Sequence, residues 1–336
     1  MYDIYLLTGG TGYLGNTVLR KLLAGGKRVR ALVRPGRKYD KALPENLELV
    51  LGSVEDRDSL RPLFAGDMSK ACLIHCAGVV SITSGADERL WRVNVEGTKN
   101  IMELAMESGV SKTVYVSSVH AIPEKPQGNA ICETRRFSPK LVVGSYAKSK
   151  AAATAYVLEL AEQGFNVSVV HPSGIIGPYD HGIGSITGTI ISYCRGRLPV
   201  GVSGGYDFVD VRDVADGILA CTEKGRPGEC YILSNRYASV REILSGVQKI
   251  VRGRKIRLCV PLSLVKLAAP LCEKISLKKK EPPFLTPYSV YTLSSNSAFS
   301  HDRATRELGY RPRALSRTLR DMVRWLVKTK KIKLKA

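Results

Sequence analysis

The 336-residue chain carries 51 Lys and Arg against 30 Asp and Glu, a formal net charge of +21, with 44% hydrophobic residues. That apolar share supports a large packed core and excludes a disordered chain, and the length exceeds one average domain, leaving room for a second lobe. The opening MYDIYLLTGG reads as a buried strand entering a glycine turn, not as a signal peptide, and the best apolar stretch, residues 256–277, is interrupted by Arg257, Lys266, Glu273 and Lys274, so no membrane span is expected. Eight cysteines lack any CxxC pair or Cys/His metal spacing, which suits reduced thiols in a cytoplasmic protein and no metal site; Cys72 and Cys76 fall in the apolar run LIHCAG.

Residues 3–8 are the first predicted strand and residues 12–24 a helix stopped by Gly25 and Gly26. Strands follow at 28–34, 47–53, 71–77, 112–118 and 166–171, and helices at 56–64, 88–107 and 144–163. Strands that alternate with helices, each a near-continuous apolar run, predict an α/β fold: a Rossmann-type doubly wound parallel sheet covered on both faces. Past His171 the texture changes, with frequent Gly and Pro over 172–205. A strand entering a helix at FVDVRDVADGILA, a short strand at ECYILS, a helix at 240–251, a Pro-rich loop at 281–287 and an amphipathic helix at 315–327 complete the reading.

The expected division is a nucleotide-binding domain over 1–175, to which the chain returns at about 206–235, and a smaller C-terminal substrate lobe over 176–205 and 236–327. The tail KTKKIKLKA, residues 328–336, carries five lysines in nine residues, either as a solvated end or as a contact for anionic membrane lipid or an acidic partner. Nucleic acid is not an expected partner, because the basic residues are not interleaved with aromatics and no nucleic-acid motif is present.

TGGTGYLG at 8–15 fits both the Gly10-x-Gly12-x-x-Gly15 dinucleotide fingerprint and its Gly9-x-x-Gly12-x-x-Gly15 variant. Glycines there allow a tight turn and close approach of backbone N–H groups to a pyrophosphate, and the helix N-terminus adds positive potential. An acid about 20 residues further on would bind the 2′-hydroxyl of NAD; this chain has Arg34, followed by Arg37 and Lys38, and a guanidinium there suits the 2′-phosphate of NADP. NADP(H) is therefore the preferred cofactor, with NAD(H) the other option.

YAKSK at 146–150 places Tyr146 and Lys150 one helical turn apart on one face. An ammonium near a phenol stabilises the phenolate, so Lys150 is expected to lower the pKa of Tyr146 and let it trade protons with a carbonyl or alcohol.

TGGTGYLG, RVNVEGT (92–98), VYVSS (114–118), YAKSK and HPSGIIGP (171–178), in this order and spacing, resemble the extended short-chain dehydrogenase/reductase (epimerase/dehydratase) family. The C-terminal FLTPYSVYTL, HDRATRELGYRP and LRDMVRWL resemble its dihydroflavonol 4-reductase and 3β-hydroxysteroid dehydrogenase-like branch. The resemblance implies that Tyr146 is the proton donor or acceptor, that Lys150 holds the nicotinamide ribose, and that Ser118, or failing that Ser117, hydrogen-bonds the substrate oxygen. It implies a cofactor site of Gly9, Gly12, Tyr13, Leu14 and Gly15 at the pyrophosphate, with Ala77, Gly78, Pro172 and Ser173 along the dinucleotide. Ser53, with Val54 beside it, stands where many relatives have an Asp that meets adenine. Asn94 is expected to tie the sheet to its flanking helix.

The function this implies is NADP(H)-dependent interconversion of a ketone and a secondary alcohol on an apolar cyclic small molecule, steroid- or flavonoid-like, by a homodimer built on the helices near 88–107 and 144–163. A nucleotide-sugar epimerase retaining NAD is the first alternative; dehydration is disfavoured because Val119 and His120, not an acidic pair, follow Ser118. A non-catalytic NADP-sensing regulator is the second, and such proteins typically lose the Tyr/Lys pair that this chain keeps. The segment CVPLSLVKLAAPL suits a greasy pocket or simple packing, and His120 either faces the substrate or is a satisfied loop histidine.

Overall fold

The computed structural model describes residues 2–36, 43–85, 87–198, 201–253, 255–256, 258–279 and 285–333. The first half runs β1 (Ile4–Thr8), α1 (Tyr13–Ala24), β2 (Val29–Val33), β3 (Leu47–Leu51), α2 (Arg57–Leu60), β4 (Ala71–His75), α3 (Glu88–Trp91), α4 (Gly97–Glu107), β5 (Lys112–Val116), α5 (Ser145–Glu162) and β6 (Val167–Pro172). The second runs β7 (Gly174–Ile176), α6 (Ser185–Cys194), β8 (Gly201–Val202), β9 (Gly205–Asp210), α7 (Val211–Lys224), β10 (Cys230–Leu233), β11 (Arg236–Ser239), α8 (Val240–Val251), β12 (Cys259–Val260), α9 (Leu262–Lys278), α10 (Pro287–Ser294), α11 (Asp302–Leu308) and α12 (Leu315–Lys328).

Seven parallel strands form the main sheet in the order β10-β6-β5-β4-β1-β2-β3. Strands β1, β4, β5 and β6 are buried along their whole length, as a sheet covered by helices on both faces requires. The chain reverses its direction of winding at β1, and the crevice between the C-terminal ends of β1 and β4 is where this topology places a ligand. Strand β10 pairs with β6, so the chain re-enters the sheet after the first excursion. Strand β9, expected with the same return, lies instead in a second sheet ordered β11-β9-β7, antiparallel to β11 and parallel to β7. Arg212 ties α7 to α12 by pairing with Asp210 at 2.7 Å and Asp321 at 2.9 Å, and the Arg313 guanidinium holds Asp213 at 2.7 Å.

Three expectations need correction. The helix read over 88–107 is broken: α3 and α4 are joined by a π-helical turn, Arg92–Glu96, which swings the buried Asn94 toward the sheet. The glycine-rich stretch 172–205 contains β7 and α6, because the apolar TGTIISYC run buries Thr187, Ile190 and Ile191 despite Gly188. Pro287, read as part of a loop, opens α10 at a position where its missing N–H costs nothing, behind a Thr286–Ser289 capping box; residues 281–284 of that loop lie outside the described residues.

Candidate active site

The glycine turn follows β1 without slack. A Cβ on Gly15 would stand 2.2 Å from the Gly9 carbonyl oxygen, and one on Gly9, at φ +72°, would stand 2.7 Å from the Ala77 nitrogen, so both positions require glycine for packing alone. Gly12 differs: its Cβ would meet only the Gly9 oxygen, at 3.3 Å. The protein leaves space there at the start of α1, where no side chain caps the helix and no acid occupies the first turn. Uncapped N–H groups beside an open glycine face fit the pyrophosphate of a dinucleotide. Tyr13 and Leu14 form that first turn, with the Tyr13 hydroxyl buried and without a hydrogen-bond partner among the described residues.

On the β2 side, Arg34 is exposed just past the strand and has no hydrogen bond or ion pair among the described residues. Arg37 and Lys38 lie outside those residues. Past β3, Ser53 closes a turn, its Oγ accepting the Glu55 N–H at 3.3 Å, while Val54 is buried against Gly97 of α4.

A buried polar chain fastens the walls of the crevice to one another. Ala77 N–H donates to Thr8 Oγ1 (3.1 Å), Thr8 meets His75 Nδ1 (2.7 Å), His75 Nε2 meets Thr98 (3.1 Å), and Thr98 donates to the Asn94 carbonyl (2.8 Å). Burial pushes the His75 pKa down to about 3, with Lys150 adding to the shift, so the ring is neutral. A neutral ring protonated on Nε2 satisfies every member of the chain. Asn94 completes the fastening: Oδ1 accepts the Val79 N–H (2.7 Å), and Nδ2 donates to the Val79 carbonyl and to Ser149 of α5 (2.9 and 3.0 Å). It thus binds the segment after β4, with Ala77 and Gly78, to the helix that carries Tyr146.

Ser118 follows β5 and caps a short 3₁₀ turn by accepting the His120 N–H at 3.2 Å. That contact occupies a lone pair and leaves the hydroxyl proton for donation, and Ser118 stands close enough to Tyr146 to lower its pKa. Ser117 points elsewhere, to Thr154 of α5 at 2.7 Å, so geometry singles out Ser118 of the two. Tyr146 sits in the first turn of α5 and is buried, and burial raises its pKa while the Ser118 hydrogen bond opposes the rise.

Lys150 is buried one turn on, and its ammonium donates to the Val116 carbonyl (2.8 Å) and the Tyr115 hydroxyl (3.3 Å). Burial pulls its pKa down to about 8. The expected acidification of Tyr146 by Lys150 is therefore not what this structure displays: the acidifying neighbour is Ser118, and Lys150 is held against the end of β5. Pro172 ends β6, and Ser173 is tied down from both ends, its N–H on the Leu233 carbonyl and its hydroxyl on the Asp207 carboxylate.

Sequence reasoning left His120 undecided and missed its neighbours. The ring stacks on Tyr206 of β9 at 5.4 Å and meets Tyr146 edge-on at 5.8 Å. Its Nε2 lies 3.3 Å from the Tyr206 hydroxyl and its Nδ1 3.2 Å from that of Tyr288 of α10. Burial lowers its pKa to about 4, so at neutral pH one nitrogen donates and the other accepts. Tyr288 reaches this place because Gly144, the residue before α5, has no side chain: a Cβ there would lie 2.2 Å from the Tyr288 ring. Beside this cluster is a small cavity lined by Ile131, Val142, Tyr291 and Phe299 among others. Tyr206 and Tyr288 come from 86 and 168 residues beyond His120; no motif marks Tyr206, and FLTPYSVYTL contains Tyr288 without announcing its place beside His120.

Residues 5–234 match the model of the NAD dependent epimerase/dehydratase family. The chain is 34% identical to sterol demethylase protein B of Methylococcus capsulatus, over 95% of this chain and 97% of the relative. It is 32% identical to a putative dihydroflavonol 4-reductase of Synechocystis, over 97% and 95% of the two chains. Among solved structures it resembles that of gox2253, with TM-score 0.84 and 32% identity over 98% of this chain and 100% of that one. The chain thus belongs to the NAD-dependent epimerase/dehydratase family, in the extended branch of the short-chain dehydrogenases/reductases, and is an NAD(P)-dependent oxidoreductase of that family.

Proposed function

We propose that the protein is an NADP(H)-dependent oxidoreductase that interconverts a ketone and a secondary alcohol on an apolar, cyclic substrate of steroid or flavonoid type. The observation that carries this reading is the convergence of Tyr146 and Ser118 beside the Tyr206–His120–Tyr288 cluster.

Bound at the glycine turn, the cofactor would supply or accept the hydride at the carbonyl carbon. In the reductive direction Tyr146 gives its phenolic proton to the oxygen as the C=O bond becomes C–O–H, and Ser118 donates a hydrogen bond to the same oxygen as charge develops on it. Burial keeps Tyr146 protonated through neutral pH, which suits an acid. Lys150 would hold the nicotinamide ribose, and Gly9, Gly12, Gly15, Ala77, Gly78 and Pro172 would line the dinucleotide. Arg34, exposed and unpaired among the described residues, is the group for a 2′-phosphate. The aromatic faces beside Tyr146 suit a flat ring system, and relatives named for sterol and dihydroflavonol chemistry support that class. A homodimer through α4 and α5, with Trp91 and Met106 exposed nearby, and a cytoplasmic location complete the reading.

The family model gives a second reading some weight: a nucleotide-sugar epimerase that keeps NAD. The two separate in one assay. Cyclic ketones, including 3-ketosteroids and dihydroflavonols, are offered with NADPH, and loss of NADPH absorbance is followed. Turnover of a ring ketone with NADPH preferred over NADH supports the proposal. Turnover of nucleotide sugars alone, with no net nicotinamide change, supports the epimerase.

A further inference from the structure

Helix α9 is apolar on two opposite faces. Its inner face packs Val265 and Ala269 against Val290 of α10, in a small cluster of its own. Its outer face presents Leu264, Leu267, Leu271 and Ile275, at steps of three and four residues that align them in one stripe. Leu267 is 80% exposed, Leu271 62% and Leu264 57%. Of the fourteen large hydrophobic residues exposed among the described residues, six lie between positions 258 and 277. Isolated exposed leucines are ordinary; an aligned stripe of them marks a surface with a partner.

The charges on α9 say what kind of partner. Lys266, Lys274, Lys278 and the following Lys279 are all exposed. The one acid of the helix, Glu273, is buried on the inner face, where it accepts the Ser84 N–H at 2.8 Å. Every exposed charge of α9 is therefore positive, in a protein of net charge +21. A leucine stripe bordered by lysines matches a layer with an apolar interior and an anionic surface. No helix among the described residues is long and apolar enough to cross a membrane, so α9 can lie only along the surface, over its length of about 25 Å.

We propose that α9 docks the protein on the surface of an anionic phospholipid bilayer, the leucine stripe entering the headgroup–acyl boundary and the lysines meeting the phosphates. Among its described residues the basic tail offers exposed lysines but no exposed apolar stripe. Where it is described it is packed on the fold, with Ile332 buried and the Lys331 carbonyl accepting from Arg195 at 3.0 Å. Glu273 ties α9 to the segment after β4, and α10, packed on α9, carries Tyr288; docking therefore puts the bilayer one helix away from the aromatic cluster. The proposal goes beyond the reaction proposed above and does not depend on it.

The test is co-sedimentation of the full chain with vesicles of phosphatidylcholine alone and of phosphatidylcholine mixed with phosphatidylglycerol. The expected partition coefficient is at least about tenfold higher on the anionic vesicles. Leu267→Ser with Leu271→Ser should lower anionic binding by about tenfold without changing the melting temperature, since both side chains are exposed. Lys274→Glu with Lys278→Glu gives an independent reading and should bring binding down to the phosphatidylcholine level. Removing residues 334–336 should change nothing. Absence of binding, equal binding to both vesicles, or binding unaffected by either pair of substitutions would overturn the proposal. So would a dimer that the serine pair splits, which would assign the stripe to a second copy of the chain.

Discussion

The two halves of the molecule solve different problems. Around the glycine turn, geometry is over-determined: Gly15 and Gly9 have no room for a methyl group, the Thr8–His75–Thr98 chain satisfies each of its members, and Asn94 makes three hydrogen bonds. The lobe is built from strands of two to six residues and from helices such as α8 and α12 whose inner faces join the main core, with α9 leaving a leucine stripe in the open. The first half carries the glycine turn, Ser118 and Tyr146, to which the proposed function gives the dinucleotide and the proton step. The second half reaches back with two side chains, Tyr206 and Tyr288, which hold His120 beside Tyr146. Under the proposed function, chemistry and specificity sit on separate parts of the chain, and each can be perturbed alone.

The sharpest break would come from Tyr146→Phe, which deletes the proton while keeping the ring. Turnover should fall by about three orders of magnitude, with NADPH affinity within about twofold of the parent, as read by fluorescence titration. A variant that stays active would remove Tyr146 from the proton step. Next in size, Arg34→Asp should weaken NADPH by about tenfold to a hundredfold and leave NADH unchanged or improved, since a charge-assisted pair to the 2′-phosphate would be replaced by repulsion. Unchanged NADPH affinity in that variant would mean that the end of β2 does not read the phosphate.

The lobe side of the comparison is tested by His120→Leu, which frees both tyrosine hydroxyls. Because His120 touches Tyr146 only by its ring edge, the expected effect is a rise of about fivefold to tenfold in KM for the ketone, with kcat changed less and NADPH binding unchanged. A pure loss of kcat would move His120 from the pocket wall into the proton path.

The smallest effect is in pH dependence. Reduction needs the Tyr146 proton, and burial holds that proton above the ordinary phenol range, so reduction should be flat from about pH 6 to about pH 8. Oxidation of the alcohol needs the phenolate and should rise over the same window. Lys150, whose pKa burial lowers to about 8, donates to the Val116 carbonyl and the Tyr115 hydroxyl and not to Tyr146, so it should not set the oxidative rise. Lys150→Met should leave the pH profiles in place while weakening cofactor binding; a shift of the oxidative rise to higher pH would show instead that Lys150 acidifies Tyr146.

How much of this was legible follows the same division. The strand at Ile4–Thr8 is an apolar run closed by Thr8, that at Lys112–Val116 is β-rich after its first residue, and α8 repeats its apolar residues so regularly that Val240–Val251 is read to the residue. The nearness of Ser118 to Tyr146 was expected from the family resemblance, whereas spacing alone gave only Tyr146 and Lys150 on one helical face. The His75 chain was not, because its members come from three elements that meet only in the sheet. Tyr206 escaped for the same reason, Tyr288 was in view within FLTPYSVYTL without its place beside His120, and α10 was hidden behind a proline that marks a helix start as well as a loop. CVPLSLVKLAAPL seemed to pose a choice between pocket and packing; α9 packs with one face and exposes the other, an outcome composition alone does not distinguish.

The most direct test of the central claim is to purify the protein, denature it, identify any nucleotide released, and titrate fresh protein with NADPH and NADH. The account predicts an empty protein or one releasing NADP(H), with NADPH bound more tightly than NADH, as an enzyme that exchanges cofactor at every turnover requires. Release of NAD at near-stoichiometric occupancy would contradict it, set aside the role given to Arg34, and make the chain an epimerase that recycles its cofactor in place.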